Sequence, residues 1–150
     1  MTTCSEIMTE TPRACLPNDS LENAAKLMKT ENVGSIPIVE SPDTRRLVGI
    51  ITDRDIALQI AASHFNPQGT KIEEIMSRDP IVCHESDTIQ SAMDAMAAHQ
   101  VRRIPVVDNE HRLVGIIAQG DIALRVPNPE KAGKVVKEIS KPDEHDSPVR

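Results

Sequence analysis

The sequence predicts an α/β protein of the α+β type, two pseudo-symmetric β-α-β-β-α units packed sheet to sheet. Two observations carry this: the chain is written twice, and each copy changes its hydrophobic period in the same order. Ile7-Met8 recurs as Ile75-Met76, and the offset of 68 carries Pro12 to Pro80, Cys15 to Cys83, Asp19 to Asp87 and Met28 to Met96. Ile36-Pro37-Ile38-Val39 matches Ile104-Pro105-Val106-Val107 at the same offset. The offset then drops to 66, and Leu47-Val48-Gly49-Ile50-Ile51 meets an identical Leu113-Val114-Gly115-Ile116-Ile117. Twenty of 46 aligned positions are identical, which marks a tandem duplication.

Each copy opens with a short Ile-Met helical turn and a first strand after its proline. Asp19 with Glu22, and Asp87 with Gln90, read as capping boxes that start a helix. Leu21, Ala24, Ala25 and Met28 then recur at helical spacing, as do Ile89, Ala92, Met93 and Met96. Two β-branched runs follow, 36–39 and 47–51 in one copy, 104–107 and 113–117 in the other, joined by polar turns into hairpins. A last helix covers Asp53–Ser63 or Gln119–Val126, the second stopped by Pro127. A unit of this size has little core alone, so pairing two buries a joint one. The expected organisation is unit 1 over 5–63, a linker over 64–70, and unit 2 over 71–126. Residues 127–150 then supply a terminal helix at 129–139 and a mobile polar tail from Ser140.

Composition narrows the function. The 150 residues carry 17 Lys+Arg against 23 Asp+Glu, a net charge of −6, which speaks against a nucleic-acid-binding domain. Phe65 is the one aromatic residue among Phe, Trp and Tyr, so no platform for stacking bases is present. No apolar run reaches membrane-spanning length and no signal peptide is visible. With three cysteines and no need of a disulfide framework, a reduced, cytoplasmic protein is expected. Cys15, Cys83, His84 and His111 lack the paired spacing of a zinc site, and Cys15 and Cys83 read as small apolar strand residues. His64 and His99 read as helix-end surface residues. No catalytic triad, carboxylate pair or phosphate loop is legible, and no enzyme is expected.

The ordered set Ile-Met, Pro, Asp-x-x-Leu, Ile-Pro-Val-Val and Gly-Ile-Ile-Thr-Asp-Arg-Asp, occurring twice, resembles the CBS (cystathionine β-synthase) domain. Two side by side resemble a Bateman module, over roughly residues 5–126. The resemblance implies binding of an adenosine-containing ligand (AMP, ADP or ATP class) in clefts between the units, as a regulatory ligand and not a required cofactor. It further implies a homodimer and an effector protein that reads the conformational change. Purely structural dimerisation with empty clefts is the alternative, and a metal or thiol responder a weaker one.

By that resemblance Asp55 contacts the ribose hydroxyls and Thr52 the ribose or phosphate, at the start of a helix whose free amides welcome phosphate. Thr52-x-x-Asp55 is also a capping box, and the two roles can coexist. The second copy reads Gly115-Ile116-Ile117-Ala118-Gln119-Gly120-Asp121. Asp121 survives, but Ala118 loses the hydroxyl and with it the capping box, so the first copy is expected to hold the better site. Arg102 and Arg103 are candidates to reach a phosphate there from the other unit, against a reading as a solvated basic spot. Their counterparts Gly34 and Ser35 leave room for an adenine edge. Arg54 is a third cation. Adenine would lie among Arg13, Ala14, Ile36 and Pro37, or among Ile81, Val82 and Ile104. Met8 and Met76 read as core filler close to the clefts.

Overall fold

The computed structural model describes residues 2–125 together with Lys137 and Ile139. The expected terminal helix, the stop at Pro127 and the polar tail otherwise lie outside the described residues. The elements are helix α1 (Cys4–Ile7), strand β1 (Thr9–Glu10), α2 (Leu21–Glu31), β2 (Ser35–Val39), β3 (Leu47–Thr52) and α3 (Asp53–Ser63). A 3-10 turn (Ile72–Glu74) leads into β4 (Ser77–Arg78), β5 (Cys83–His84), α4 (Ile89–His99), β6 (Arg103–Val107), β7 (Leu113–Ala118) and α5 (Gln119–Arg125). Helix, hairpin and last helix follow in the expected order in each copy, but the first strand expected after the proline is β5 in the second copy and only a single bridge, Cys15 to Ile38, in the first.

The chain forms two compact units that cut across the linear repeat. One contains Pro12–Pro80 with Asn109–Leu113; the other contains the residues up to Thr11, Ile81–Asp108 and the described chain from Val114 onward. Each Ile-Met segment therefore packs in the unit of the other repeat. The sheets show why. In the first-repeat unit the order is β2-β3-β4, with β4 antiparallel to β3. In the second-repeat unit it is β1-β7-β6-β5, with β1 antiparallel to β7. The two-residue strands β1 and β4 are too short to leave a periodic signal.

The glycine of each Gly-Ile-Ile run fixes this arrangement sterically. A Cβ on Gly49 would sit 2.8 Å from the Ser77 carbonyl oxygen and 2.9 Å from Met76 Sδ. A Cβ on Gly115 would strike Met8, whose Cγ lies 2.7 Å away. The methionines thus lie directly on the glycines, and only a residue without a side chain lets them.

The first-repeat core gathers Leu21, Ala24, Met28, Ile36, Ile38, Ile51, Ile56 and Ile72. The second gathers Cys4, Cys83, Met93, Met96, Ile104, Val106, Ile117 and Ile122, with Ile139 2% exposed. Residues 64–70 are bound to the first repeat: the Pro67 and Thr70 carbonyls accept from Glu22 N and Leu21 N, both at 3.0 Å.

The expected caps shift by one residue. Ser20 Oγ accepts from Asn23 N at 3.1 Å, and Thr88 Oγ1 from Ser91 N at 3.2 Å. Asp19 and Asp87 instead accept from Leu16 N at 2.8 Å and His84 N at 2.9 Å, closing the turn before each helix. The hydroxyl one position later is then the side chain that reaches the helix amides. Glu22 and Gln90, displaced from the box position, pair with Lys26 at 3.3 Å and Asp94 at 2.7 Å.

Candidate functional site

β3 ends and α3 begins at Thr52, so one short segment must satisfy both a strand edge and a helix N-terminus. Thr52 Oγ1 accepts from Asp55 N at 3.0 Å, and Asp55 Oδ2 accepts from Thr52 N at 3.2 Å. The capping box is therefore complete. It still leaves chemistry over. Among the described residues, Asp55 Oδ1 has no partner and the Thr52 hydroxyl proton has no acceptor. The pair is half-buried, so it presents one carboxylate oxygen and one hydroxyl donor at a rigid junction.

The neighbouring strand brings in most of the other first-repeat residues. Ser35 lies opposite Thr52, Ile36 opposite Ile51, and Pro37 opposite Ile50 in the β2–β3 ladder. On the far side of β2 the chain at Cys15 runs parallel, bridged to Ile38, and Cys15 N donates to the Pro37 carbonyl at 3.1 Å. Ala14, half-buried, precedes that bridge at the same end of the sheet. Ile36 and Pro37 are buried, whereas Arg54 is exposed on the first turn of α3. Ser35, Ile36, Pro37, Ala14, Thr52, Arg54 and Asp55 thus share one unit. Arg102, Arg103, Ile104, Asp121 and Val82 belong to the other.

Two expectations at this junction need correction. The first amides of α3 are not free. Asp53 N donates to the Gly34 carbonyl at 2.9 Å, Arg54 N to Asp53 Oδ1 at 2.8 Å, and Asp55 N is taken by Thr52. A phosphate arriving here meets two carboxylates and no open amide, because the first turn caps itself. Nor does Gly34 leave an empty edge. A Cβ there would lie 3.2 Å from Asp53 Oδ2, so the Asp53 carboxylate occupies that space. Asp53 was not singled out from sequence; an Asp directly after Thr at a strand-to-helix junction was the available signal.

The second copy uses the same backbone and different side chains. Gln119 N donates to the Arg102 carbonyl at 3.0 Å, the counterpart of the Asp53–Gly34 bond. Half of the cap persists, contrary to expectation: Asp121 Oδ2 accepts from Ala118 N at 2.8 Å. Asp121 Oδ1 accepts from Thr9 Oγ1 at 3.4 Å and faces Arg125 Nη1 at 3.8 Å. Arg125 is itself held by the Ile7 carbonyl at 2.8 Å. The carboxylate that the motif shares with the first copy is spent on internal partners. Neither Thr9 nor Arg125 was foreseen, since both act only through the exchange of N-terminal segments. Arg102 is exposed, Arg103 and Val82 half-buried, and Ile104 buried.

An open cavity of about 410 Å³ lies at the other end of the β2–β3 hairpin. Glu40, Arg46, Arg78, Asp79, Pro80 and His111 are among its lining residues, and it includes none of the candidates above. Cys15 is buried and its thiol is pushed up to about 11, first by burial and then by the charge of Asp19, so it stays protonated. Among the described residues no three His, Cys, Asp or Glu side chains form a group able to hold a metal, and no helix is long and apolar enough to cross a membrane.

The repeat, the two sheets and the paired junctions have clear relatives. YhcV of Bacillus subtilis, a CBS domain-containing protein, is 39% identical over 145 residues, which is 97% of this chain and all of that one. Hypoxic response protein 1 of Mycobacterium tuberculosis is 38% identical over 128 residues, 85% of this chain and 87% of that one. A crystal structure of Hypoxic Response Protein I with two coordinated zinc ions superposes with a TM-score of 0.74 at 34% identity, covering 84% of this chain and all of that one. The CBS domain pair of MJ0100, solved with 5′-methylthioadenosine and S-adenosylmethionine, gives a TM-score of 0.71 at 33% identity, over 89% of this chain and 98% of that one. The CBS domain profile matches residues 4–62 and 72–128, one copy on each repeat. The chain is a member of the CBS domain family and carries two such domains in tandem.

Proposed function

We propose that this chain is a regulatory module, without catalysis of its own, that binds an adenosine-containing ligand of the AMP, ADP or ATP class at the Thr52–Asp55 junction. One observation supports the reading above the others: a completed capping box that still leaves Asp55 Oδ1 and the Thr52 hydroxyl unused, beside Ser35, at the motif the family shares. The ribose diol donates to Asp55 Oδ1, and Thr52 donates to a ribose or phosphate oxygen. The MJ0100 pair was solved with two adenosine-containing ligands, which supports the same class here. With the α3 amides taken, the junction reads the nucleoside, and a phosphate depends on cations such as Arg54, Arg102 and Arg103. Binding stabilises one arrangement of the module, and an effector protein reads the shift in population.

The test is calorimetry on nucleotide-stripped protein with adenosine, AMP, ADP, ATP and S-adenosylmethionine. Binding of at least one, lost in Asp55→Ala with the fold intact, is the expected result. Replacing Arg102 and Arg103 together by Ala should weaken the phosphorylated ligands and leave adenosine unchanged. No binding by any of the five overturns the reading.

A second reading, structural homodimerisation, has its own observation. Leu58 on α3 and Leu124 on α5 are repeat equivalents, and they are 52% and 86% exposed. Two large apolar side chains left in water at matching positions suit helix faces that meet a second copy. Ultracentrifugation of Leu58→Lys and Leu124→Lys should show a monomer if they do.

A further inference from the structure

Three stretches of the first-repeat unit, far apart in the chain, close around the open cavity at the hairpin end of β3. Glu40 N donates to the Arg46 carbonyl at 2.7 Å, which closes the β2–β3 hairpin and sets those two residues across from one another. β4 lies along β3 with Arg78 opposite Gly49, so Asp79 and Pro80 run on toward Leu47. Leu47 N donates to the His111 carbonyl at 3.0 Å and brings in the third stretch. All of them belong to one compact unit. The hollow of about 410 Å³ falls within the usual range of small-molecule sites, about 300–1,000 Å³. It lies at the opposite end of β3 from Thr52 and shares no residue with the junction described above.

Its charges are unspent. Exposed ions elsewhere in this unit close on each other, as Lys26 does on Glu22 at 3.3 Å and Arg112 on Glu110 at 3.4 Å. Around the cavity they do not. Among the described residues no carboxylate pairs with Arg46 or Arg78; Arg46 has no side-chain partner, and Arg78 reaches only the Glu73 carbonyl at 3.4 Å. Asp79 has no side-chain partner there either, and Glu40 spends one oxygen on the Thr44 hydroxyl at 3.2 Å. Two cations and two carboxylates therefore border one hollow without neutralising one another, beside the apolar surface of Leu47, Val48 and Pro80.

The repeat separates what the backbone supplies from what these side chains add. Arg78, Asp79 and His111 stand where the first copy of the sequence has Glu10, Thr11 and Arg45. The backbone is the same left-handed one, with φ 54° at Asp79 and 51° at Thr11, and 62° at His111 and 52° at Arg45. Arg45 Nη2 donates to the Pro12 carbonyl at 2.9 Å. The shorter His111, which borders the cavity with Pro80, makes no such bond.

We infer that this cavity binds a small zwitterion of the α-amino-acid class. Its carboxylate is held by the guanidinium groups of Arg46 and Arg78, whose planar forks suit it. Its ammonium group donates to Asp79 and to Glu40 Oε1, and an apolar side chain lies over Leu47, Val48 and Pro80. A simple anion would meet two carboxylates and a simple amine two guanidinium groups, so only a ligand with both ends uses all four. A nucleotide suits the cavity poorly. It brings phosphate to Glu40 and Asp79, and only the His111 imidazole offers its base a ring to stack on. The inference does not depend on the adenosine reading of the Thr52–Asp55 junction.

The experiment is an amide-resolved NMR titration of the isotope-labelled full chain with L-leucine, L-valine and L-methionine. Each is compared with its analogues lacking the ammonium group or the carboxylate, which for leucine are 4-methylpentanoate and 3-methylbutylamine. At least one amino acid should move the amides of residues 40–48, 79 and 111 to saturation, and its two analogues should bind about tenfold or more weakly. Arg46→Ala with Arg78→Ala, and separately Asp79→Asn with Glu40→Gln, should abolish saturation. Lys26→Ala, which removes an exposed cation elsewhere on the unit, should leave it unchanged. The four residues replaced around the cavity are exposed, so the core is untouched, and unchanged spectra away from the cavity check this. No saturable shift at these amides with any of the three amino acids, or a carboxylate-only analogue that binds as well as its amino acid, would overturn the proposal.

Discussion

The two strand-to-helix junctions have the same backbone and opposite side-chain economies. At Thr52 the cap is closed within its own turn, and one oxygen of Asp55 is left for something else. At Ala118 the missing hydroxyl leaves Asp121 to close half a cap, while Thr9 and Arg125 take its second oxygen. A motif comparison sees one substitution, Thr to Ala. The structure shows a change of employment for the carboxylate three residues later. An Asp in this motif is open to a ligand only where its neighbours leave it an oxygen.

The sharpest way to break this comparison is to remove each carboxylate in turn. Asp55→Ala removes a charge-assisted acceptor, and affinity for the adenosine-containing ligand should fall about 10- to 100-fold by calorimetry. Asp121→Ala should leave that affinity within error. If both variants lose binding equally, the division of labour is wrong.

Steric evidence gives the next largest effect. Gly49→Ala and Gly115→Ala each force a methionine off the sheet, and each should cost about 1–3 kcal/mol in denaturant titration. Gly49 also meets the Ser77 backbone carbonyl at 2.8 Å, which cannot swing aside as the Met8 side chain can, so its variant should be the less stable. The reverse ranking would show that Met8 is held more firmly than the Ser77 carbonyl.

That contact also marks where sequence reading stops. The duplication, the helix and strand order, and Thr52 as a cap were legible because they rest on local periodicity and hydrogen bonds spanning three residues. Asp53–Ser63 was read to the residue because Thr52 and Asp55 define its start. The exchange of Ile-Met segments was not legible: Met8 and Gly115 are far apart in the chain, and each looks unremarkable alone. Asp19 and Asp87 were given a cap that Ser20 and Thr88 make, because any of the four has the chemistry and only the backbone decides which oxygen reaches. The tie between Asp121 and Arg125 needed the N-terminal segment in place, since Arg125 is anchored on the Ile7 carbonyl.

Asp121→Ala, silent toward the ligand, should not be silent toward the fold. It removes the acceptor for Ala118 N and releases Arg125 and Thr9, at about 1–2 kcal/mol by chemical denaturation. Most of that cost is the half-buried Ala118 amide; the partly exposed pairing with Arg125 contributes little of it.

The smallest effect runs the other way and tests whether the second junction is a site with one part missing. Ala118→Thr supplies the hydroxyl that would accept from Asp121 N, and the completed cap should stabilise the protein by about 0.5–1 kcal/mol. It should not add a second binding event, because Asp121 Oδ1 still faces Thr9 and Arg125. Adding Thr9→Val and Arg125→Gln frees that oxygen, and only the triple variant should approach a stoichiometry of two ligands per chain in calorimetry. If Ala118→Thr alone reaches two, the hydroxyl was the whole deficit and the internal partners of Asp121 give way to a ribose. If the triple variant stays at one, the difference lies outside the junction, in what the first repeat offers through Ser35 and Ala14 where the second has Arg103 and Val82.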